Sequence, residues 1–348
     1  MGVGVGLVFA DQLNALLLVL LADGKIAGVG TAPDGFTAER TIDASGLVVA
    51  PGLIDLAARL REPGFEYKAT LESEMDAAMA GGVTSLVCPP DTDPVLDEPG
   101  LVEMLCYRAK KLNRAHVYPV GALTIGLKGE QLSEMAELVE AGCVAFSQAN
   151  TPILDTRVLS RAMQYAATFG FRVWLQPIDP HLARGGVAHD GEVASRLGLP
   201  GIPASSEIIA LFTYLQMARL TGARLHITRL SSAESLDLIE QARKDGVDVT
   251  CDVAAHHLHL CDMDIGYFNP HCHVIPPLRS QRDRIALARA ATRQACNNSS
   301  TERDCCNSRT LRGLRMKSHH PTATPNSFAA AMPKAPNGAV PVSQSVSA

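Results

Sequence analysis

AESLDLIEQARKDGVDVTCDV, residues 233–253, holds the pattern that decides the fold. Leu236, Ile239 and Ala242 recur at helical spacing over Ala233–Lys244, with Glu234, Asp237 and Glu240 between them, so this half predicts an amphipathic helix. Gly246 follows as a C-cap, and 247–253 is a short β-branched run that predicts a strand. Helix, glycine, strand is therefore the repeating unit. Outward from it, matching runs stand at 53–56, 84–88, 116–120, 144–147, 171–176 and 224–228. Helical stretches at 72–80 and 129–140 lie between them, and Gly82, Gly142, Gly170 and Gly222 take the place of Gly246. Alternating helix and strand at this spacing implies a parallel sheet. Seven such units point to a (β/α)8 TIM-type barrel, whose chemistry sits at the C-terminal ends of its strands.

The flanks read differently. Residues 3–22 are apolar, but Asp11, Gln12 and Asn14 interrupt them and no cationic region precedes them, so neither a membrane span nor a signal peptide is expected. Two apolar runs joined at Asp23-Gly24 predict a β-hairpin instead. The net charge is −5, yet residues 293–348 carry seven Lys/Arg against two Asp/Glu, leaving an acidic body and a basic tail. That tail has no isoleucine, one aromatic residue and eight serines, a composition that cannot offset chain entropy by burial. It reads either as a low-order extension or as a departure from an ancestral reading frame. The acidic balance of the whole predicts no nucleic-acid and no membrane partner. Nine scattered cysteines predict reduced thiols and a cytoplasmic location.

The segment PGLIDLAARLREPG (51–64) resembles the first barrel strand of dihydroorotases, in the amidohydrolase superfamily. GGVTSLVCPPDTDP (81–94), GCVAFS (142–147), ARGGVAHDGEVASRLGLPGIP (183–203), LHITRLSSAESLDLI (225–239), VTCDVAAHHL (249–258) and IPPLRSQRDRIAL (275–287) follow in the family's order. The resemblance implies three segments. Residues 1–50 would be strands of a small flanking β-sandwich, 51–292 the barrel, and 293–348 the basic tail, with the eighth barrel strand and the C-terminal sandwich part missing. It also implies a divalent metal, usually zinc, held by side chains at the strand ends. At those positions stand Ala57, Arg59, Gln148, Gln176 and Arg229. Alanine cannot ligate, amides bind transition metals poorly and a guanidinium offers no lone pair. No metal, no other cofactor and no catalytic residue is therefore expected. Arg61 matches the arginine that grips the substrate carboxylate, whereas Asp91 and Ile275 replace two substrate-contacting asparagines, leaving a vestigial pocket. Arg61 and Glu62 are read as a structural pair closing the barrel mouth.

A rival metal site is conceivable. Cys251, His256, His257, His259, Cys261, His271, Cys272 and His273 crowd one short span, with two i, i+2 histidine pairs. The similarity is nevertheless greatest to degenerate, non-catalytic dihydroorotase homologues. It implies a pseudo-enzyme that supports assembly and activity of the aspartate carbamoyltransferase catalytic chain in de novo pyrimidine biosynthesis. The implied state is a hetero-oligomer of six plus six. Two alternatives stand beside it: an active zinc-dependent dihydroorotase or related cyclic-amide hydrolase, and a truncated non-functional product.

Overall fold

Apolar runs separated by capped helices fold into one curled parallel sheet with helices outside it. The computed structural model describes residues 4–10, 16–22, 25–32, 34–44, 47–297 and 331–333. Strands β1 (Gly4–Ala10), β2 (Leu16–Ala22), β3 (Lys25–Gly30) and β4 (Ala38–Asp43) form a sheet in the order β3-β2-β1-β4. Ala22 lies opposite Lys25 in the β2–β3 pair, so the predicted hairpin has its flanking strands. The Asp23-Gly24 turn itself lies outside the described residues. β5 (Leu47–Val49) leads into the barrel.

All seven predicted barrel runs are strands. They are β6 (Leu53–Asp55), β7 (Val83–Cys88), β8 (His116–Ala122), β9 (Ala145–Ser147), β10 (Arg172–Leu175), and, beyond the short β11 (Ala188–His189) and β12 (Gly201–Ile202), β13 (Arg224–Ile227) and β14 (Val249–Cys251). Each pairs in parallel with the next, from β6 to β14. Among the described residues the sheet has these seven strands, and β6 and β14 are its two edges. It is a half-barrel, and among the described residues no eighth strand joins its edges.

Helices α1 (Leu71–Ala80), α2 (Pro99–Leu112), α3 (Met135–Ala141), α4 (Thr156–Phe169), α5 (Glu192–Leu197), α6 (Ala204–Thr221), α7 (Ala233–Lys244), α8 (Ala255–His259) and α9 (Gln281–Asn297) fill the connections. Their ends follow local chemistry. Thr70 and Ser73 form a capping box on α1, and the Asp155 carboxylate accepts from Arg157 N and Val158 N at the start of α4. Gly170 and Gly222 close α4 and α6 in the left-handed conformation that glycine adopts without strain. Asp155→Ala should lower stability by about 1 kcal/mol, the usual worth of an N-cap, as read by urea unfolding.

One expectation needs correction. The helix predicted over 129–140 begins only at Met135. Gly129 has φ +74° and donates its N–H to Thr124 Oγ1 (2.9 Å), while Ile125 N donates to Gln131 O, so this stretch closes a turn before the helix starts. Further along the chain, α9 ends at Asn297, and β15 (Ala331–Pro333) pairs antiparallel with β5.

The main core lies between sheet and helices, around Phe146, Leu123, Met163, Leu211 and Ile227. A smaller cluster of Val87, Val120, Ala145 and Trp174 fills the inside of the curl. This inner plug sits directly beneath the strand ends. No helix among the described residues is long and apolar enough to cross a membrane.

Candidate functional site

The C-terminal ends of β6, β9, β10 and β13 bring the sequence-predicted residues to one mouth. Ala57 and Arg59 follow β6, Gln148 follows β9, Gln176 follows β10 and Arg229 follows β13. Arg229 is the central piece. Its Nη2 donates to Gln176 Oε1 and to Asn150 Oδ1, both at 2.6 Å, and its Nη1 donates to Ile275 O at 3.2 Å. The backbone supports this reach: Arg229 has φ +56°, and its N–H donates to Asp252 Oδ1 at 2.7 Å. A left-handed conformation is unusual for a residue with a long side chain, and such strain persists where its surroundings enforce it.

Asp252 in turn holds His226. The His226 Nε2–H donates to Asp252 Oδ2 (3.0 Å), since a carboxylate only accepts, and Nδ1 accepts from the Thr250 hydroxyl (2.8 Å). Both ring nitrogens are thereby occupied. Arg59 Nε donates to Asp91 Oδ2 at 2.8 Å in a half-buried ion pair. Gln148, only 1% exposed, turns away from the mouth, with its Nε2 donating to Thr124 Oγ1 at 2.7 Å.

Burial shapes the electrostatics. Desolvation lowers the Arg229 guanidinium to about 10, and the neighbouring Arg59 charge pushes the same way, against Asp252 and Asp91. Arg229 stays cationic at neutral pH, but its direct side-chain partners are neutral amides. Beside it, Arg59, Arg61, Lys68, Asp91 and Thr92 line a cavity of about 150 Å³. Cys88 also faces this cavity, yet burial raises its thiol to about 12, so it offers no thiolate nucleophile.

Arg61 lines the 150 Å³ cavity. The expected Arg61–Glu62 pair is absent: Glu62 pairs with Arg108 and accepts the Leu71 N–H at 2.8 Å, so it ties α2 to the start of α1. Arg61 has φ +61°, which turns consecutive side chains in different directions. Gly64, in the same loop, has φ +99°, and a Cβ there would lie 2.1 Å from Asp93 O, so the close approach requires glycine. Ile275 meets the mouth through its carbonyl oxygen on Arg229, while the residue itself is half exposed.

The residues at the mouth do not fit a metal ion. A divalent cation placed there would meet the guanidinium groups of Arg59 and Arg229, with alanine and amides as its only other neighbours at the predicted positions. Among the described residues, no three His, Cys, Asp or Glu side chains are placed to hold a metal. The rival Cys/His cluster is thus not gathered. His257 is buried with Nε2 on Pro277 O (3.1 Å), and Cys272 Sγ donates to Asp264 O (3.4 Å). Trp174, Asn150 and the His226–Asp252 pair went unmarked in the sequence reading. FSQAN (146–150) and VTCD (249–252) contained two of these residues, but nothing there distinguished them.

Comparisons with known proteins agree with this frame. A family model described as dihydro-orotase-like matches residues 46–235. A dihydroorotase-like protein of Pseudomonas aeruginosa is 49% identical over 281 residues, covering 81% of this chain and 66% of the relative. A dihydroorotase of Pelotomaculum thermopropionicum is 43% identical over 270 residues, covering 77% and 62%. Among solved structures, the L-hydantoinase (dihydropyrimidinase) of Arthrobacter aurescens matches with a TM-score of 0.67 at 24% identity, covering 81% of this chain and 64% of that one. Dihydroorotase from Saccharomyces cerevisiae, in complex with 5-fluoroorotic acid, matches with a TM-score of 0.54 at 17% identity, covering 72% and 68%. At these identities the two structures share the fold alone. The chain spans about two thirds of the length of its curated relatives, 66% for that of Pseudomonas aeruginosa.

Proposed function

Since the chain belongs to the dihydroorotase-like family of amidohydrolases, we propose that it is a non-catalytic member supporting the aspartate carbamoyltransferase catalytic chain in pyrimidine biosynthesis. The observation that carries the non-catalytic half is Arg229 spanning the mouth to Gln176, Asn150 and Ile275 O. Hydrolysis of a cyclic amide in this family needs an activated water, and a metal lowers the pKa of that water to near neutrality. Here the mouth supplies fixed cations in place of ligands. His226, on β13, has both nitrogens engaged and so no free nitrogen to act as a base, while the pKa of His256 is lowered, first by desolvation and then by the Arg229 charge. Relatives at 49% identity also bear the name dihydroorotase-like protein, whereas those named dihydroorotase stand at 38–43%.

The partner half is a proposal from the family resemblance: a hetero-oligomer, six plus six, in which this chain is the structural partner. Two measurements test the whole. The purified chain is expected to carry no stoichiometric zinc and to leave dihydroorotate unhydrolysed; bound zinc with turnover would falsify the non-catalytic reading. Mixed with the carbamoyltransferase chain at low salt, it should co-elute as one large species and raise carbamoyltransferase activity. Separate elution with unchanged activity sinks the partner reading.

A further inference from the structure

Ala57, Arg59, Ser147, Trp174, Thr228 and Arg229 line a second, smaller space of about 20 Å³ at the position where the family resemblance implies a metal. That is room for one particle about the size of a water molecule. Two side chains of this lining keep a buried nitrogen without a hydrogen-bond partner, Trp174 Nε1 and Arg229 Nε, and Gln176, bonded to Arg229, keeps a third in its Nε2. Trp174 is 3% exposed and Gln176 4%. An indole N–H and a guanidinium N–H can only donate. The Gln176 amide is oriented by its Oε1 accepting from Arg229, so its free end is a donor as well. Buried donors are rarely left unmet, because each forfeits its hydration.

We propose that this space binds one monovalent anion of halide size, chloride being the simplest, in inversion of the cation site the family resemblance implies. A water molecule would fit the volume but would leave the Arg229 charge uncompensated. A halide only accepts. It also compensates charge: Arg59 has Asp91 and the Arg229 backbone has Asp252, but the Arg229 guanidinium has only neutral side-chain partners. The anion would sit between the charged heads of two arginines and the indole edge of the inner plug.

The protein contains its own reporter, since Trp174 is the single tryptophan of the chain. Heavy halides quench tryptophan fluorescence on contact, and a residue so buried is shielded from ions colliding from solvent. Iodide titrated into the full-length chain at constant ionic strength, with a bulky organic anion as the balancing salt, should therefore quench saturably. Chloride should reverse that quenching. Arg229→Gln removes a charge-assisted donor and should weaken the apparent iodide affinity about tenfold or more. Quenching that stays linear in iodide and indifferent to chloride overturns the site, as does unchanged saturation in Arg229→Gln. If that variant does not fold, the chloride competition on the unaltered chain decides. Zinc analysis of the same sample keeps the outcomes apart. A zinc-free chain without a halide response loses the anion site alone, whereas bound zinc removes the non-catalytic reading.

Discussion

Glu207→Ala is expected to cost about 4 kcal/mol of stability, a large share of the roughly 5–15 kcal/mol that holds a folded domain together. Glu207 sits on α6, 2% exposed, and its carboxylate gathers four donors. It accepts from Ser231 N (3.2 and 3.1 Å), Ser232 N (3.1 Å), Ser235 Oγ (2.6 Å) and the Ser231 hydroxyl. The loop from β13 into α7 is thereby fastened to α6. Arg279, 3% exposed, completes the network through Ser231 Oγ (3.0 Å) and Ile202 O (2.6 Å). Desolvation lowers its pKa, and Glu207 is the first group that offsets this. Alanine at 207 thus strands two buried N–H groups, two hydroxyls and a buried cation at once. Removing one partner of a buried charged network is costly because the other stays behind unpaired. Ser235→Ala deletes the bond to Glu207 and one to the Ser232 hydroxyl (3.0 Å) and should cost about 1–2 kcal/mol. The double variant should cost less than the sum, because both substitutions break the same contact. Urea unfolding of the three variants checks this; near-additive losses would mean that the serines do not act through Glu207.

Acid should destabilise the chain well before its carboxylates titrate. His257, 2% exposed, has its pKa lowered to about 3, first by desolvation and then by His256. Its Nε2–H donates to Pro277 O, and Nδ1 is buried without a partner, so a second proton would have no acceptor. The folded state thus holds the ring neutral, while the unfolded ring titrates near 6.5. Between these values the unfolded chain binds more protons, so stability falls as pH falls. The loss begins near pH 6.5 and runs at about 1.4 kcal/mol per pH unit, reaching roughly 3 kcal/mol by pH 4. His189 and His256 are lowered as well, again mainly by desolvation, and add to the loss in the same direction. His257→Gln can still donate to the carbonyl but no longer titrates. Its stability between pH 7 and pH 4 should fall less steeply than that of the unaltered chain. Parallel curves for the two would remove His257 as the cause.

The sheet was legible because a parallel strand buried on both sides is a short apolar run, and a glycine cap announces it. Residues 233–253 contain everything that α7 and β14 need. Other elements leave weaker traces. α6 is apolar on its outward side too, where Ile209, Phe212 and Leu220 are exposed, so periodicity alone does not separate its faces. The turn at 124–134 carries helix-forming residues, and its geometry depends on a hydrogen bond from Gly129 to Thr124 that no local pattern encodes. At the mouth, residue identities alone said that ligands were replaced. They did not say that Arg229 would reach Gln176, because that bond joins residues 53 positions apart. Nor did they mark Glu62 as a partner of Arg108, a contact set by how α2 packs on the loop after β6.

Arg229 also changes what kind of object the barrel mouth is. A metal held by side chains is in equilibrium with solution, so its presence follows supply, competing chelators and pH. A guanidinium anchored through its own backbone to Asp252 cannot dissociate. The positive centre of this mouth is synthesised with the chain and lasts as long as it does. Chelators should therefore leave the mouth of this protein unaltered.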